Sequence, residues 1–552
     1  MCIFRIHVFL AYCLLAPPLF CGAERLPNGI ELQEPWPPYR EAKEVLSGEP
    51  MPVAYLTTPP GIIPIDLGRQ LLVDDFLIQS STLKRTFHRP DYHPSNPVFR
   101  PEKAWEKTKD RAFAAPYSDG VWYDPDEKIF KMWYRAETGW TCLATSPDGL
   151  CWERPALEQL PGANALYRSN RDAVSVWLDH GAGDPSRRFV AFEASWIKPA
   201  HRLHLRYSPD GRQWTAPLAI SGPSWDRSSV FWNPFRNVWV ASVRGHDRMK
   251  PDPVHRSRNY HEGATPEAVL AWTEHTDEVA QGKDASGGLQ PWVAADRLDP
   301  RHPDPRFRNN DPQLYNLDVF PYESLLVGLF TIWQGPDNAT CKDLGIHKRN
   351  EVLVGFTRDG FHWDRTNRKP FLPVSDVSKA WNAGNVQSVC GGCVIVGDLL
   401  YFYCSGRTMD PSDITSTGLA TLRRDGFASL DANGDGGVMT TRPLTFTGKH
   451  LFVNLAAADG ELRVEALDQT GSVIAPFTLE NGQPISGDAA AIPVKWKGIT
   501  DLSQLTGIPV RFRFTLKNGA LYSFWVSPNE AGASTGYVAA GGPGFGSDHD
   551  IP

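Results

Sequence analysis

Apolar residues in the middle of this chain come in short runs broken by polar turns, the spacing of β-strands rather than helices. The first set reads Val121–Tyr123, Phe130–Tyr134 and Thr141–Ala144, with Trp152 opening a fourth strand. The order recurs as Ala173–Leu178, Arg188–Phe192 and Leu203–Tyr207, and then as Val230–Trp232 and Val238–Ser242. Two more sets follow: Leu317–Phe320, Leu325–Phe330 and Val352–Phe356, then Val394–Val396, Leu399–Tyr403 and Leu419–Leu422. An earlier run, Leu71–Ile78, predicts a strand that closes a ring by pairing with the last set. Beyond Phe427 the texture changes to short alternating strands poor in Trp, such as Leu462–Leu467 and Val510–Leu516, the pattern of a β-sandwich.

A repeated turn punctuates these sets. It reads Ser146-Pro-Asp-Gly-Leu-Cys-Trp152, Ser208-Pro-Asp-Gly-Arg-Gln-Trp214, Thr357-Arg-Asp-Gly-Phe-His-Trp363 and, degenerate, Arg423-Arg-Asp-Gly-Phe427. Asp148 and Asp210 are 62 residues apart, Asp359 and Asp425 are 66 apart, and the 149 between the two pairs leave room for one degenerate copy. A period of this size with strand-turn-strand content predicts a β-propeller, here of five blades. Asp caps its own turn and Gly supplies the positive φ, so these turns are expected to hold blades together. The fold class expected is therefore all-β: a five-bladed β-propeller over 62–428, then a β-sandwich over 429–530. A Pro-rich extended lead-in (24–61) precedes them, and a flexible Gly- and Ala-rich tail (531–552) follows.

Composition suits that reading, with 19 Trp, 27 Phe, 47 Gly and 47 Pro in 552 residues. At the N-terminus Arg5 and His7 precede the apolar run Val8–Leu15, and Cys21-Gly-Ala23 offers small residues before Glu24. This predicts a signal peptide over 1–23 and a secreted or periplasmic protein. Phe20 stands where a lipoprotein signal wants a small residue, so cleavage after Ala23 is preferred. Six of nine cysteines lie beyond that segment. Cys142 with Cys151, and Cys390 with Cys404, flank turns and are candidate bridges. Cys390-Gly-Gly-Cys393 lacks the companion ligands of a zinc site and the setting of a thioredoxin motif. Asp431–Gly436 copies half of a calcium loop, but its twelfth position is Arg442, so a plain turn and no metal are expected. A net charge of −7, with no Gly-rich phosphate loop or basic stripe, gives no support to a nucleic-acid, membrane or cofactor role.

Candidate chemistry follows from aligning the sets on the turn that ends each inner strand. Asp172 and Asp226 both lie seven residues before that turn, and Asp119 five before. Carboxylates at one repeat position converge on one rim of the axial cavity, and paired carboxylates are what glycosidic cleavage needs. A lone aspartate at a strand start suits a turn cap better than a catalytic role, and it is the coincidence of Asp172 and Asp226 at one repeat position that makes them candidates. Glu323, Asp318 and Glu193 are further acid candidates, and of Asp74 and Asp75 at most one points into the cavity. Arg171, Arg227 and Arg407 are candidate ligands for carboxylated or sulfated sugars, or partners of the aspartates. Trp177, at a position that repeats as Trp122 and Trp232, suits sugar stacking or packing between blades. The stretch Arg244–Glu262, with His246, His255 and His261, reads as a polar loop over the mouth.

Asn96-Pro-Val-Phe99, Ala104-Trp-Glu106, Phe130–Ala136 and Ala144–Gly149 together resemble the opening of the five-bladed glycoside hydrolases that include families 32, 43, 62 and 130. Arg171-Asp172-Ala173 resembles the Arg-Asp-Pro element of family 32, which implies an aspartate that contacts sugar hydroxyls and steadies the transition state. The resemblance covers roughly residues 70 to 425, and the layout with its Gly536–Pro543 tail is similar to exported family 32-like proteins. The chain departs from family 32 in lacking its Trp-x-Asn-Asp-Pro-Asn and Glu-Cys-Pro elements. The resemblance implies a carbohydrate substrate and leaves the sugar open. A non-catalytic carbohydrate- or protein-binding propeller and a family 130-type phosphorylase are the alternatives.

Overall fold

The computed structural model describes residues 23–247, 255–273, 288–409 and 414–551. The described residues are nearly all β-strand and loop, with a few short helical segments, of which Asn338–Leu344 is the longest α-helix among them. Residues 1–22, which hold nearly all of the expected signal peptide (1–23), lie outside the described residues.

Antiparallel units follow one another along the chain. The first joins Val121–Asp124, Ile129–Ala136, Trp140–Ser146 and Ala165–Arg168. The second joins Arg171–Leu178, Phe189–Ile197, Ala200–Ser208 and Ala219–Ile220, and the third Ser229–Asn233, Val238–Asp247, His255–Gly263 and Gln290–Ala294. Gln313–Glu323, Leu325–Gly335 and Arg349–Thr357 form the fourth. Val394–Val396, Leu399–Arg407 and Ile414–Arg423 form the fifth. The stretch Arg244–Glu262, expected as a loop, supplies two paired strands of the third unit in its described part, with Arg244 opposite Arg258. The side chain of His246 lies outside the described residues.

The repeated turns are built as their sequence demands. Asp148 Oδ1 accepts from the amides of Leu150 and Cys151, both at 2.8 Å, and Gly149 takes φ +76°. The turn's backbone then serves the neighbouring unit. Tyr403 Oη donates to Gly149 O (2.7 Å), Trp133 Nε1 to Gly211 O (2.9 Å) and Trp292 Nε1 to Phe361 O (2.9 Å). Each of these aromatics both fills an interface and pins the next turn. The inner strands are tied the same way: Trp122 Nε1 donates to Val176 O and Trp177 Nε1 to Val230 O, each at 2.7 Å.

Closure departs from expectation. Asp91–Tyr92 pairs with Ile414–Arg423, Phe99 bridges Thr417, and Ala112–Ala115 runs from that same strand to Ile129–Ala136. Residues 91–115 therefore join the first unit to the fifth, a role expected of Leu71–Ile78. That segment belongs elsewhere, because Leu72, Phe76 and Leu77 bury into a second core with Phe512, Phe514 and Phe524. Gln70–Leu71 pairs with Gly519–Ser527, and Ile78–Ser81 with Gly437–Thr441, in a nine-stranded sheet built mostly from residues 428–527.

The lead-in is not simply extended. It holds helical turns at Ala42–Val45 and Ala54–Thr57, and Leu26, Leu32 and Tyr55 are buried. The tail, expected to be flexible, is hydrogen-bonded across the inner strands. Val538 faces Tyr322, Ala540 accepts from Tyr123 N (3.0 Å) and donates to Cys393 O (3.0 Å), and Gly541 O accepts from Ile395 N (2.9 Å). Its small residues let the backbone come this close; a Cβ on Gly542 would lie 1.9 Å from Ile395 O.

The cysteine bridges are not formed. All six described cysteines are free: Cys142 faces Tyr134 and Ala165 across its strand, while Cys151 sits in the exposed turn, bonded through its amide to Asp148. Cys404 faces Gly418, not Cys390.

Candidate functional site

The inner strands meet at an axis where side chains of distant units touch. Asn316 Nδ2 donates to Ser118 Oγ (3.0 Å) and to Asp318 Oδ2 (2.7 Å), which also accepts from Ser388 Oγ (2.6 Å). Asp119 is fully buried and held by both guanidinium nitrogens of Arg171, whose Nη1 lies 2.7 Å from Oδ2. Arg171 also donates to Thr141 Oγ1 (3.0 Å). This Asp119–Arg171 pair welds the first unit to the second and forms the floor of the site.

Above it, at the open rim, lie Asp172 and Asp226, with 23% and 30% of their side chains exposed. Arg227 Nε lies 3.0 Å from Asp172 Oδ2 and Arg135 Nη1 3.7 Å from Oδ1, while Arg244 pairs with Asp226. The structure thus places Asp119, Arg171, Asp172, Asp226 and Arg227 in one constellation. Arg227 carries φ +56° and lies 4.5 Å over the ring of Tyr117, itself at φ +48°. Left-handed backbone at non-glycine residues costs about 1–3 kcal/mol each and gathers where function fixes geometry.

Charge states differ within the constellation. Burial works to raise the Asp172 carboxyl, but Arg227 and then Arg135 outweigh it and hold the group below the ordinary carboxylate range. Burial wins at Asp119 and Asp318, lifting each to about 6 against Arg171 in the first case and Ser388 in the second. One site therefore holds a carboxylate that ionises readily beside two that hold their protons up to about pH 6, the kind of separation that acid–base chemistry uses.

The other candidates separate from this cluster. Glu323 does not join it. It is wholly buried at the opposite end of the strand that carries Asp318, where Arg69 N (3.1 Å), Arg424 Nη2 (3.1 Å) and Ser534 Oγ (2.7 Å) bond its carboxylate. Trp177 is core, packed edge-on to Trp122 with ring centroids 5.0 Å apart. It borders a cavity of about 230 Å³ that Tyr537, Ala539 and His549 of the tail also line, away from the rim aspartates. Arg407 stands at the rim over Phe113 (5.4 Å) and donates to Thr415 Oγ1 (3.3 Å). Glu193 is buried on Ser195 (2.5 Å) and Arg206 (3.3 Å). Asp74 is buried on Arg358 (2.7 Å), and Asp75 is exposed beside Arg85.

Residues that sequence reasoning did not single out complete the rim. Tyr315 sits at a register break in its strand, and such bulges re-aim side chains. Its hydroxyl accepts from Lys348 Nζ at 3.0 Å. Burial would raise this phenol, but Lys348, Arg227 and Arg244 outweigh it and bring it down to about 6. Arg244 and Arg256 stack over its ring at 5.3 and 5.6 Å.

Asp318 gives a direct check on the charge assignment. Its folded value lies above the ordinary one, so its contribution to stability is complete below about pH 4 and is lost as pH rises through 6. Asp318→Asn keeps the acceptor for Asn316 and Ser388 and removes the buried charge. The variant is expected to melt higher than wild type at pH 8, by the equivalent of about 2–3 kcal/mol, with the gap closing near pH 4.5. A gap that does not change with pH would show that Asp318 does not titrate in this range.

No family model matches the chain, and no curated protein matches it. Among solved structures it is similar to a β-fructofuranosidase from Schwanniomyces occidentalis, at 13% identity and TM-score 0.34, over 79% of this chain and 97% of that one. It is also similar to a glycosyl hydrolase from Bacteroides ovatus (14%, TM-score 0.34, 63% and 97%). A third is an N-acetylgalactosamine deacetylase from F. plautii (12%, TM-score 0.35, 60% and 97%).

Proposed function

We propose that the chain is an exported glycoside hydrolase that cleaves a polysaccharide or oligosaccharide at the open end of its axis. In this reading the successive units are the five blades of a propeller, and the nine-stranded sheet corresponds to a β-sandwich module. The observation that carries the proposal is the pair Asp172 and Asp226, from adjacent units and both partly open to solvent, each braced by an arginine of the third unit. Asp172, held ionised, acts on the sugar carbon or on water, and a second carboxyl protonates the leaving oxygen. Asp119 and Arg171 orient the pair from below.

The test is release of reducing sugar from a panel of polysaccharides and aryl glycosides by the mature protein, beside Asp172→Asn. Hydrolysis that disappears in the variant supports the proposal. Tight sugar binding with no release from any substrate would favour a binding propeller instead.

A further inference from the structure

The rim of this site carries more positive charge than its own acids neutralise. Arg135, Arg227, Arg244, Arg256 and Lys348 gather there against Asp172, Asp226 and the acidified Tyr315 phenol, five cations to three acids. The buried arginines behind them do not help, since Arg171 is matched to Asp119 and Arg258 donates to the backbone carbonyls of Arg227 and Tyr315. The cations crowd one another. Burial and then Arg256 lower Arg244 to about 10, and burial and then Arg244 lower Arg258 to about 9.

Partners are unevenly distributed. Arg256 donates to an amide, Gln313 Oε1, and stacks over Tyr315 and over Trp333 (5.0 Å). Lys348 donates to the Tyr315 hydroxyl and lies 4.6 Å over its ring. Neither has a carboxylate partner among the described residues, and both are only half-buried. Concentrated, partly desolvated cations of this kind are stabilised when an anion joins them.

A second observation points the same way. Gln313, Trp333, Asn350, Asn385 and Arg407 face one another in register across adjoining strands of the fourth and fifth units. Along that row Gln313 Nε2, Asn350 Nδ2 and Asn385 Nδ2 are buried donors with no hydrogen-bond partner. A row of amide donors ending in Arg407, beside half-buried Arg256 and Lys348, matches a ligand that combines hydroxyls with a fixed negative charge.

We propose that the sugar taken at this rim is acidic, its carboxylate or sulfate held by Arg256 and Lys348 with Arg244 behind them. The proposal rests on reading the rim as a carbohydrate site. It deepens that reading by setting the substrate class.

The experiment is equilibrium binding, by titration calorimetry at fixed salt, on the mature protein carrying Asp172→Asn so that no turnover intervenes. The probes are oligogalacturonate, carrageenan oligosaccharides, a neutral galactan oligosaccharide and inorganic phosphate. One acidic series should bind at least ~10-fold tighter than the neutral one, and which series it is separates carboxylate from sulfate. Arg256→Gln and Lys348→Met, checked for unchanged melting, should each cut that preference by ~10-fold. Equal binding of acidic and neutral chains, no binding of either acidic series, or a preference untouched by both variants overturns the proposal. Saturable binding of phosphate alone also overturns it, and points to a phosphorolytic site. Acidic binding without cleavage by the unsubstituted protein would leave this inference standing and remove the hydrolase reading. Cleavage of neutral chains alone would do the reverse.

Discussion

Asp172→Asn is expected to lower glycosidase turnover by ~1,000-fold or more, the usual scale for losing a carboxylate that acts on the reacting sugar. The change is nearly isosteric, but it is not silent in the fold. Arg227 is buried, with 6% of its side chain exposed, and Asp172 lies 3.0 Å from its Nε. Loss of that charge leaves the guanidinium less compensated, at a cost of about 1–2 kcal/mol, because Asp172 is partly solvated and an amide oxygen still accepts. The melting temperature should fall by a few degrees at most. Turnover per folded molecule and the thermal melt are measured on the same preparation. A variant that melts lower yet keeps its turnover would make Asp172 a brace for Arg227 and nothing more.

Glu323→Ala should show the opposite profile: a large loss of stability with turnover per folded molecule intact. Its carboxylate receives Arg69, Arg424 and Ser534, and Asp425 completes the network through Arg69 Nη1 (3.0 Å), Tyr322 Oη (2.7 Å) and Ser523 Oγ (2.6 Å). Removing one member of a buried ion network strands the others, which costs about 3–5 kcal/mol. The midpoint of denaturant unfolding measures it. Glu323→Gln should recover part of the loss, because an amide oxygen still accepts from Ser534 and Arg69 N. If Glu323→Ala instead abolished turnover and left the midpoint unchanged, the separation of this hub from the rim would be wrong.

What was legible in the sequence follows the range of the interactions. The Asp-Gly turns are local, so Asp148, Asp210 and Asp359 announce themselves, and their spacing gives the period of the units. Asp172 and Asp226 were legible because a repeat turns shared position into shared direction. Tyr315, Arg256 and Lys348 were not, because Tyr315 and Arg256 come from different strands, Lys348 from the loop before a third, and they meet only in the folded chain around a register break. The one available signal was the density of arginine in 244–258, which polarity alone assigned to a loop. A strand facing a polar cavity lacks the apolar alternation that reveals strands elsewhere. Glu323 misled for a related reason. It was an acid candidate of the fourth unit, but the end of its strand faces residues 69, 424 and 534, which no local pattern connects to it. The fourth Asp-Gly copy diverged because Asp425, at φ +60°, bonds side chains from the nine-stranded sheet instead of capping its own turn.

The exchange of strands between the two ends of the chain has a consequence for how the molecule is made. Residues 70–87 are edges and members of a sheet whose other strands come after residue 427, and residues 537–541 stitch the first, fourth and fifth units together. Neither part can therefore reach its final form while the nascent chain is incomplete, and the earliest strands must wait unpaired for partners made more than 340 residues later. The C-terminal sheet is spliced into the ring rather than appended to it. A protease cut near residue 428 would leave the halves gripping each other, and a gene truncated there would encode neither.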